Sequence, residues 1–226
     1  MSRTMEWAAR PEHLGGIPRK LLIAIVGTFA KTVSSFLNTT SVHNADTLLH
    51  LVRSRPRRKC IPITRGGGIY QEHMNEALER LNDGEWLHTF PEGKVNQEEA
   101  PIRRLKWGTA SLIARAHITP IVLPIIHHGF HEVMPEKYMF GRRPPLPLWN
   151  KKIDIIIGDP IELDLPAMRQ KAISQSRSES FPIVGWPSTC DGLDEAAQRC
   201  FYSTISEQIH AAMERLRCFG KKLVKS

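Results

Sequence analysis

The most apolar stretch of the chain runs from Leu21 to Leu37, and its pattern is helical. Leu22, Ile25, Val26, Phe29, Val33, Phe36 and Leu37 recur at i, i+3, i+4 and i+7 on one side, with Lys20, Lys31 and Ser34 opposite. Lys31 interrupts the run, and its unbroken part, Leu21 to Ala30, is far short of the roughly 20 residues that span a bilayer. Two uses fit such a stripe: a helix lying in a membrane interface, or one packed on the protein's own core.

After a polar approach from Asn38 to Asn44, the pattern predicts a short helix over Ala45 to Arg53 and a short buried strand over Cys60 to Thr64. Gly66-Gly67-Gly68 supplies a turn. Ile69 to Asn82 then reads as a helix with Tyr70, Met74, Ala77, Leu78 and Leu81 on one side and Gly84 just past its end. Trp86 to Phe90 has strand character, Leu105 to Ala116 is helical, and Ile121 to Ile126 and Lys152 to Gly158 are apolar runs of strand length around a Pro144 to Pro147 loop. Such alternation predicts an α/β fold with a mostly parallel sheet covered by helices. Residues 163–193 mix Pro, Ser and Arg with little periodicity and read as a loop, and Asp194 to Cys218 closes the chain as a helix capped at Asp194 or just before it. The expected organisation is an N-terminal segment over 1–40, an α/β domain over 41–162, a loop over 163–193, and a C-terminal helix and tail over 194–226.

At 226 residues and 41% hydrophobic content the chain has the size of one such domain. Its formal charge of +8 predicts anionic partners: nucleic acid, an acidic membrane surface or a phosphorylated small molecule. Nucleic acid fits poorly, because the cations do not interleave with aromatics and no helix-turn-helix, zinc-finger or RNA-binding signature is present. Cys60, Cys190, Cys200 and Cys218 form no C-x-x-C pair, which argues against a zinc site or a disulfide framework and for a reducing compartment. Met1 to Arg19 mixes Arg3, Arg10 and Arg19 with Glu6, Glu12 and Pro18, a poor match to a cleaved targeting peptide.

Candidate chemistry centres on Pro91-Glu92-Gly93-Lys94. Here a lone carboxylate, a glycine and a cation follow a predicted strand, at the edge where open α/β sheets bind ligands. Glycine lets backbone N–H groups approach an anion, and Lys94 adds a point charge. Arg65 ends the preceding predicted strand, so in a parallel sheet its guanidinium and the Glu92 loop would converge on one phosphate-sized crevice.

Three segments resemble, in order and spacing, the second, third and fourth motif blocks of the glycerolipid acyltransferases: Ile61-Pro62-Ile63-Thr64-Arg65, Phe90-Pro91-Glu92-Gly93-Lys94 and Pro120-Ile121-Val122-Leu123-Pro124. The longer string from Trp86 to Asn96, followed by Arg104-Leu105-Lys106-Trp107-Gly108, resembles the tafazzin-like members and their plant relatives, as do Val26-Gly27-Thr28 and Val42-His43-Asn44. The resemblance covers most of Leu21 to Ile161. It implies acyl transfer between a phospholipid or acyl-CoA and a lysophospholipid at a membrane surface, with no metal and no tightly bound cofactor. It also implies that Arg65, Glu92 and Gly93 hold the acceptor's phosphate and glycerol part, with Lys94 an electrostatic addition. Mitochondrial membranes are the expected location, with the plasma membrane or another membrane open through the plant relatives.

Catalysis in that family depends on an Asn-His-x-x-x-x-Asp block, in which the aspartate orients a histidine that takes a proton from the acceptor. None of the ten histidines has Asp five positions on. The nearest approximations, His127 with Glu132 and His131 with Glu136, follow the fourth block, where the family has no base. The block belongs where Arg53-Ser54-Arg55-Pro56-Arg57-Arg58-Lys59 stands, a basic stretch that also reads as a solvated linker. A strand-helix unit deleted near residues 56–60 accounts for this, and it predicts an impaired acyltransferase or a non-catalytic membrane-binding or regulatory form.

Overall fold

The computed structural model describes residues 17–51, 61, 63–64, 66–94, 97, 100–178, 184–189 and 192–225. The elements are α1 (Ile17–Ser35), β1 (Thr39–His43), α2 (Ala45–Leu51), α3 (Glu72–Asn82), α4 (Trp107–Arg115), β2 (Ile125–His128), α5 (Phe130–Val133), β3 (Lys152–Ile157), α6 (Leu165–Ser176) and α7 (Glu195–Lys225). They form two compact units, one of residues 1–43 with 127–155 and one of 44–126 with 156–226.

The three strands form one sheet of order β1-β3-β2. β3 is the central strand, and Ile153, Asp154, Ile156 and Ile157 are all buried, as a strand covered on both faces requires. Gly129, at φ +88°, opens α5 and runs against β3: a Cβ there would stand 1.9 Å from the Lys152 carbonyl oxygen, so only glycine fits. β1 is polar and only half-buried, and for that reason its sequence does not announce a strand. Buried Asn38 joins α1 to the chain before β3: its Nδ2 donates to the Val33 oxygen at 2.9 Å and the Leu148 oxygen at 3.3 Å, and its Oδ1 accepts from the Lys151 nitrogen at 2.8 Å. Among the described side chains of α1 only Val33 and Ser34 are half-buried, and Lys20 to Thr32 are exposed throughout.

The second unit is organised on α7. Phe201, Tyr202, Ile205 and Ile209 form a helical stripe packed with Leu165, Met168 and Ala172 of α6 and Ala110 and Ile113 of α4. A smaller cluster of Met74, Ala77 and Leu112 joins α3 to α4. Asp194 caps α7, its Oδ1 accepting from the Ala197 nitrogen at 2.8 Å.

The fold is α/β, and besides the unannounced β1 it departs from expectation in three places. Residues 163–193 carry α6, started by the Asp164 side chain on the Ala167 nitrogen at 3.0 Å and by Pro166 in the first turn. Its apolar stripe is only three residues wide, too narrow to stand out in the sequence yet sufficient against α7. Among the described residues, neither Ile61 to Thr64 nor Trp86 to Phe90 belongs to a sheet. The second run keeps strand-like alternation, with Trp86, His88 and Phe90 outward, but a strand exists only with a neighbour to exchange hydrogen bonds. The third difference is a shift: the ladder of β2 begins at Ile125, while Val122 makes a single antiparallel bridge to Ile161.

Candidate functional site

The loop at Phe90 to Lys94 lies in the second unit and is stitched to the strap that leads into α4. Gly93 N donates to the Phe90 oxygen at 3.0 Å, closing a turn, and Lys106 N donates to the Pro91 oxygen at 2.8 Å. Glu92 Oε2 accepts from the Arg103 nitrogen at 3.3 Å. Thr109 Oγ1 meets Thr89 Oγ1 at 3.1 Å and holds the approach to the loop against α4.

Gly93 has φ +66°, a left-handed conformation that favours glycine. The Lys106 side chain crosses directly over it, so that a Cβ at residue 93 would stand 2.8 Å from Lys106 Cε and 3.0 Å from Nζ. The bare backbone of the loop therefore lies beside an ammonium group. Lys106 is also the residue that opens α4, whose first turn contains no acid to offset the positive end of the helix. Lys94 and Lys106 with the helix start favour an anionic group, while the Glu92 carboxylate can accept from a hydroxyl or ammonium group. That combination suits a phosphate-linked alcohol or amine.

The strap itself is pinned by α7. Glu214 Oε2 accepts from the Ile102 nitrogen at 3.1 Å, and His210 Nε2 meets the Ile102 oxygen at 2.8 Å. Arg217, hydrogen-bonded to the same carboxylate, holds it at about 2, against the opposing pull of partial burial and with help from the Ile102 N–H.

Of the residues expected to bind the acceptor, Glu92, Gly93 and Lys94 share this loop, and Arg65 lies outside the described residues. On the described side of Arg65, Gln71 closes the glycine turn by accepting from the Thr64 nitrogen at 2.8 Å and donating to the Gly68 oxygen at 2.8 Å. Lys106 was missing from the expected site. It stands in the string that carries the family resemblance, but only the crossing over Gly93 gives it a place at the loop.

The substitute base pair lies in the first unit. His127 sets its ring edge-on against Phe130, with centroids 4.9 Å apart, while the exposed Glu132 carboxylate stands 4.0 Å from His131 Nε2. A different histidine is held by a carboxylate: His43 Nε2 is 3.0 Å from Oδ1 of Asp154, whose side chain is 3% exposed, with Lys152 Nζ 3.6 Å from the other oxygen. These residues are 111 positions apart and sit on strands adjacent in the sheet, a pairing invisible before the sheet order is known.

The stripe expected to bind a membrane is not packed on a core. Leu22, Ile25, Val26, Phe29, Phe36 and Leu37 are all exposed, Phe36 at 80%, and Val33 alone is half-buried. Among the described residues, no helix is long and apolar enough to cross a membrane.

Residues 27–128 match the family model described as Acyltransferase. The chain is 48% identical to an N-acylphosphatidylethanolamine synthase of Arabidopsis thaliana, covering 99% of this chain and 100% of that protein. It is 41% identical to a Dictyostelium discoideum protein named Taffazin, over 70% of this chain and 52% of the other, and 26% identical to the tafazzin of Drosophila melanogaster, over 68% and 54%. The Arabidopsis alignment runs over 284 positions against 226 residues here, so at least 58 of its positions have no residue of this chain opposite them. The chain belongs to the acyltransferase family, as a tafazzin-like glycerophospholipid acyltransferase.

Proposed function

We propose that this chain binds phospholipid at a membrane surface through the acceptor site of a tafazzin-like acyltransferase, and that it is catalytically impaired because the segment carrying the base is missing. The observation that carries the reading is the Gly93 loop crossed by Lys106, inside the string most similar to the family. In this reading Arg65, Lys94 and Lys106 face the phosphate, Gly93 gives it backbone access, and Glu92 accepts from the hydroxyl or amine next to it. The 58 or more unopposed positions support a deletion, and we place it at Pro56 to Cys60. A strand removed there would also explain why, among the described residues, the flanking runs lack partners in the mostly parallel sheet that the alternation of elements predicts.

The name of the Arabidopsis relative favours the amine of phosphatidylethanolamine as acceptor, and the family resemblance of the motif blocks favours a lysophospholipid hydroxyl. With either, the acceptor atom bonds to the acyl carbonyl carbon, the donor's thioester or ester bond breaks, and one acceptor proton must leave to a base. Without that base the chain binds and does not turn over. The exposed α1 stripe supports association with a membrane from one side, and mitochondrial membranes remain our proposed location. A non-catalytic form that competes with a longer enzyme for lipid is the second reading, favoured by the same missing segment.

The test uses purified chain with vesicles containing labelled phospholipid donor and either phosphatidylethanolamine or lysophospholipid acceptor. Binding to the vesicles is expected, with acyl transfer no faster than in a protein-free control. Insertion of an Asn-His-x-x-x-x-Asp segment at Pro56 to Cys60 is expected to raise transfer. Robust transfer by the unaltered chain would overturn the impairment, and its loss in His127→Ala would assign the base to His127.

A further inference from the structure

A second apolar feature of the first unit is a tight turn between α5 and β3. Tyr138 N donates to the Arg142 oxygen at 2.9 Å, and Arg142 N donates to the Met139 oxygen at 3.4 Å, leaving Phe140 and Gly141 at the apex. Both have positive φ, +57° and +69°, as in the reverse turns that favour Asn-Gly or Gly-Gly. Phenylalanine is a poor choice for that backbone, and it gains nothing from packing, because Phe140 is 94% exposed. The conformation aims the ring outward. Met139 and Tyr138 beside it are also exposed, as are Leu146 and Trp149 further along the same segment.

Cations surround this tip. Lys137, Arg142 and Arg143 flank it within three residues of Phe140, with Arg143 paired to Glu136 at 2.9 Å. An aromatic and thioether apex, a cationic collar and Tyr and Trp at the margins make up the composition that enters the headgroup layer of an acidic bilayer. The base of the segment is tied to the end of α1. Asn150 N donates to the Leu37 oxygen at 2.7 Å, Leu148 N donates to the Val133 oxygen at 2.8 Å, and buried Asn38 holds both Val33 and Leu148.

We propose that the Tyr138 to Arg142 turn is a second membrane-insertion element that places Phe140 and Met139 in an anionic lipid surface, with Asn38 joining it to the α1 stripe. This rests on the membrane reading given above and is separable from it by experiment. Phe140→Asn removes the ring and supplies a residue that the turn favours, so the fold is not at risk.

The measurement is co-sedimentation of the full chain with phosphatidylcholine vesicles, with and without phosphatidylglycerol. Phe140→Asn is expected to weaken binding to the anionic vesicles by about tenfold or more, the scale of one aromatic side chain leaving an apolar phase. Arg142→Gln is expected to weaken it by about fivefold on anionic vesicles and leave neutral ones unchanged. Ile118→Asp, at an exposed position in the other unit, should bind as the unaltered chain does. If Phe29→Asp loses binding while Phe140→Asn retains it, the turn is a protein contact or idle surface, and this proposal falls while the membrane reading stands. If the unaltered chain binds neither vesicle, both fall.

Discussion

Gly93 closes one turn and Phe140 sits at the apex of another, with nearly the same φ, +66° and +57°, and the two turns use that backbone in opposite ways. At Gly93 the missing side chain lets Lys106 cross at under 3 Å from where a Cβ would be, bringing an ammonium group over bare backbone. At Phe140 the same rotation throws a large ring into solvent. In the two proposals made above, the first turn would admit a ligand to the protein and the second would offer the protein to a surface. A left-handed residue has meaning only through its surroundings, which is a lesson about reading turns by sequence alone.

The comparison can be broken by adding or removing side chains. The largest effect is expected at a third glycine, Gly129, where a Cβ would meet the Lys152 oxygen at 1.9 Å. Gly129→Ala should cost about 4 kcal/mol or more, since neither backbone can yield, and should abolish cooperative thermal unfolding or soluble expression. Gly93→Ala has a yielding neighbour and should cost about 1–3 kcal/mol in denaturant unfolding. The double variant Gly93→Ala with Lys106→Ala should recover the steric part and leave about 1–2 kcal/mol from φ alone. Full recovery would show that Lys106, not the backbone, demands the glycine.

Glu214 tests how firmly the strap beneath the Gly93 loop is held. Its carboxyl is held at about 2 by Arg217 in the folded chain and titrates near 4.5 when unfolded, so the unfolded state takes up the proton first as pH falls. Glu195 behaves alike: burial pulls its pKa up, but Arg199 and the N–H groups of Trp186, Val184 and Gly185 bring it to about 2. Both contributions are complete above pH 4.5 and are lost progressively towards pH 2. Glu214→Gln should flatten that acid limb of the stability profile, at a cost of about 1–2 kcal/mol at neutral pH. The smallest effect is expected at the exposed turn, where Phe140→Gly should change stability by no more than about 1 kcal/mol, in the stabilising direction if the turn strain dominates. Thermal melts of this variant beside Gly93→Ala would set the two turns on one scale.

Much of the helical content was legible, because amphipathic spacing reports directly on burial: α3 and α4 lie within three residues of their expected limits, Asp194 does cap α7, and α7 runs on past its expected end at Cys218 to Lys225. α6 was not legible, since Leu165, Met168 and Ala172 form a stripe that gains meaning only against α7. Strands fared worse for a physical reason. Trp86 to Phe90 has the alternation of a strand and lacks a ladder, while polar Thr39 to His43 has little of the pattern and pairs with β3 through the sheet.

The sequence by itself determined the family, because Trp86 to Asn96 is a contiguous string whose chemistry is carried by residue identity. It also determined that no histidine has the aspartate spacing of the family's base. Tertiary structure alone decided that the α1 stripe faces outward, that Lys106 covers Gly93, and that His43 pairs with Asp154. Each of these depends on what stands across from a residue in space, and periodicity describes only one side of a contact.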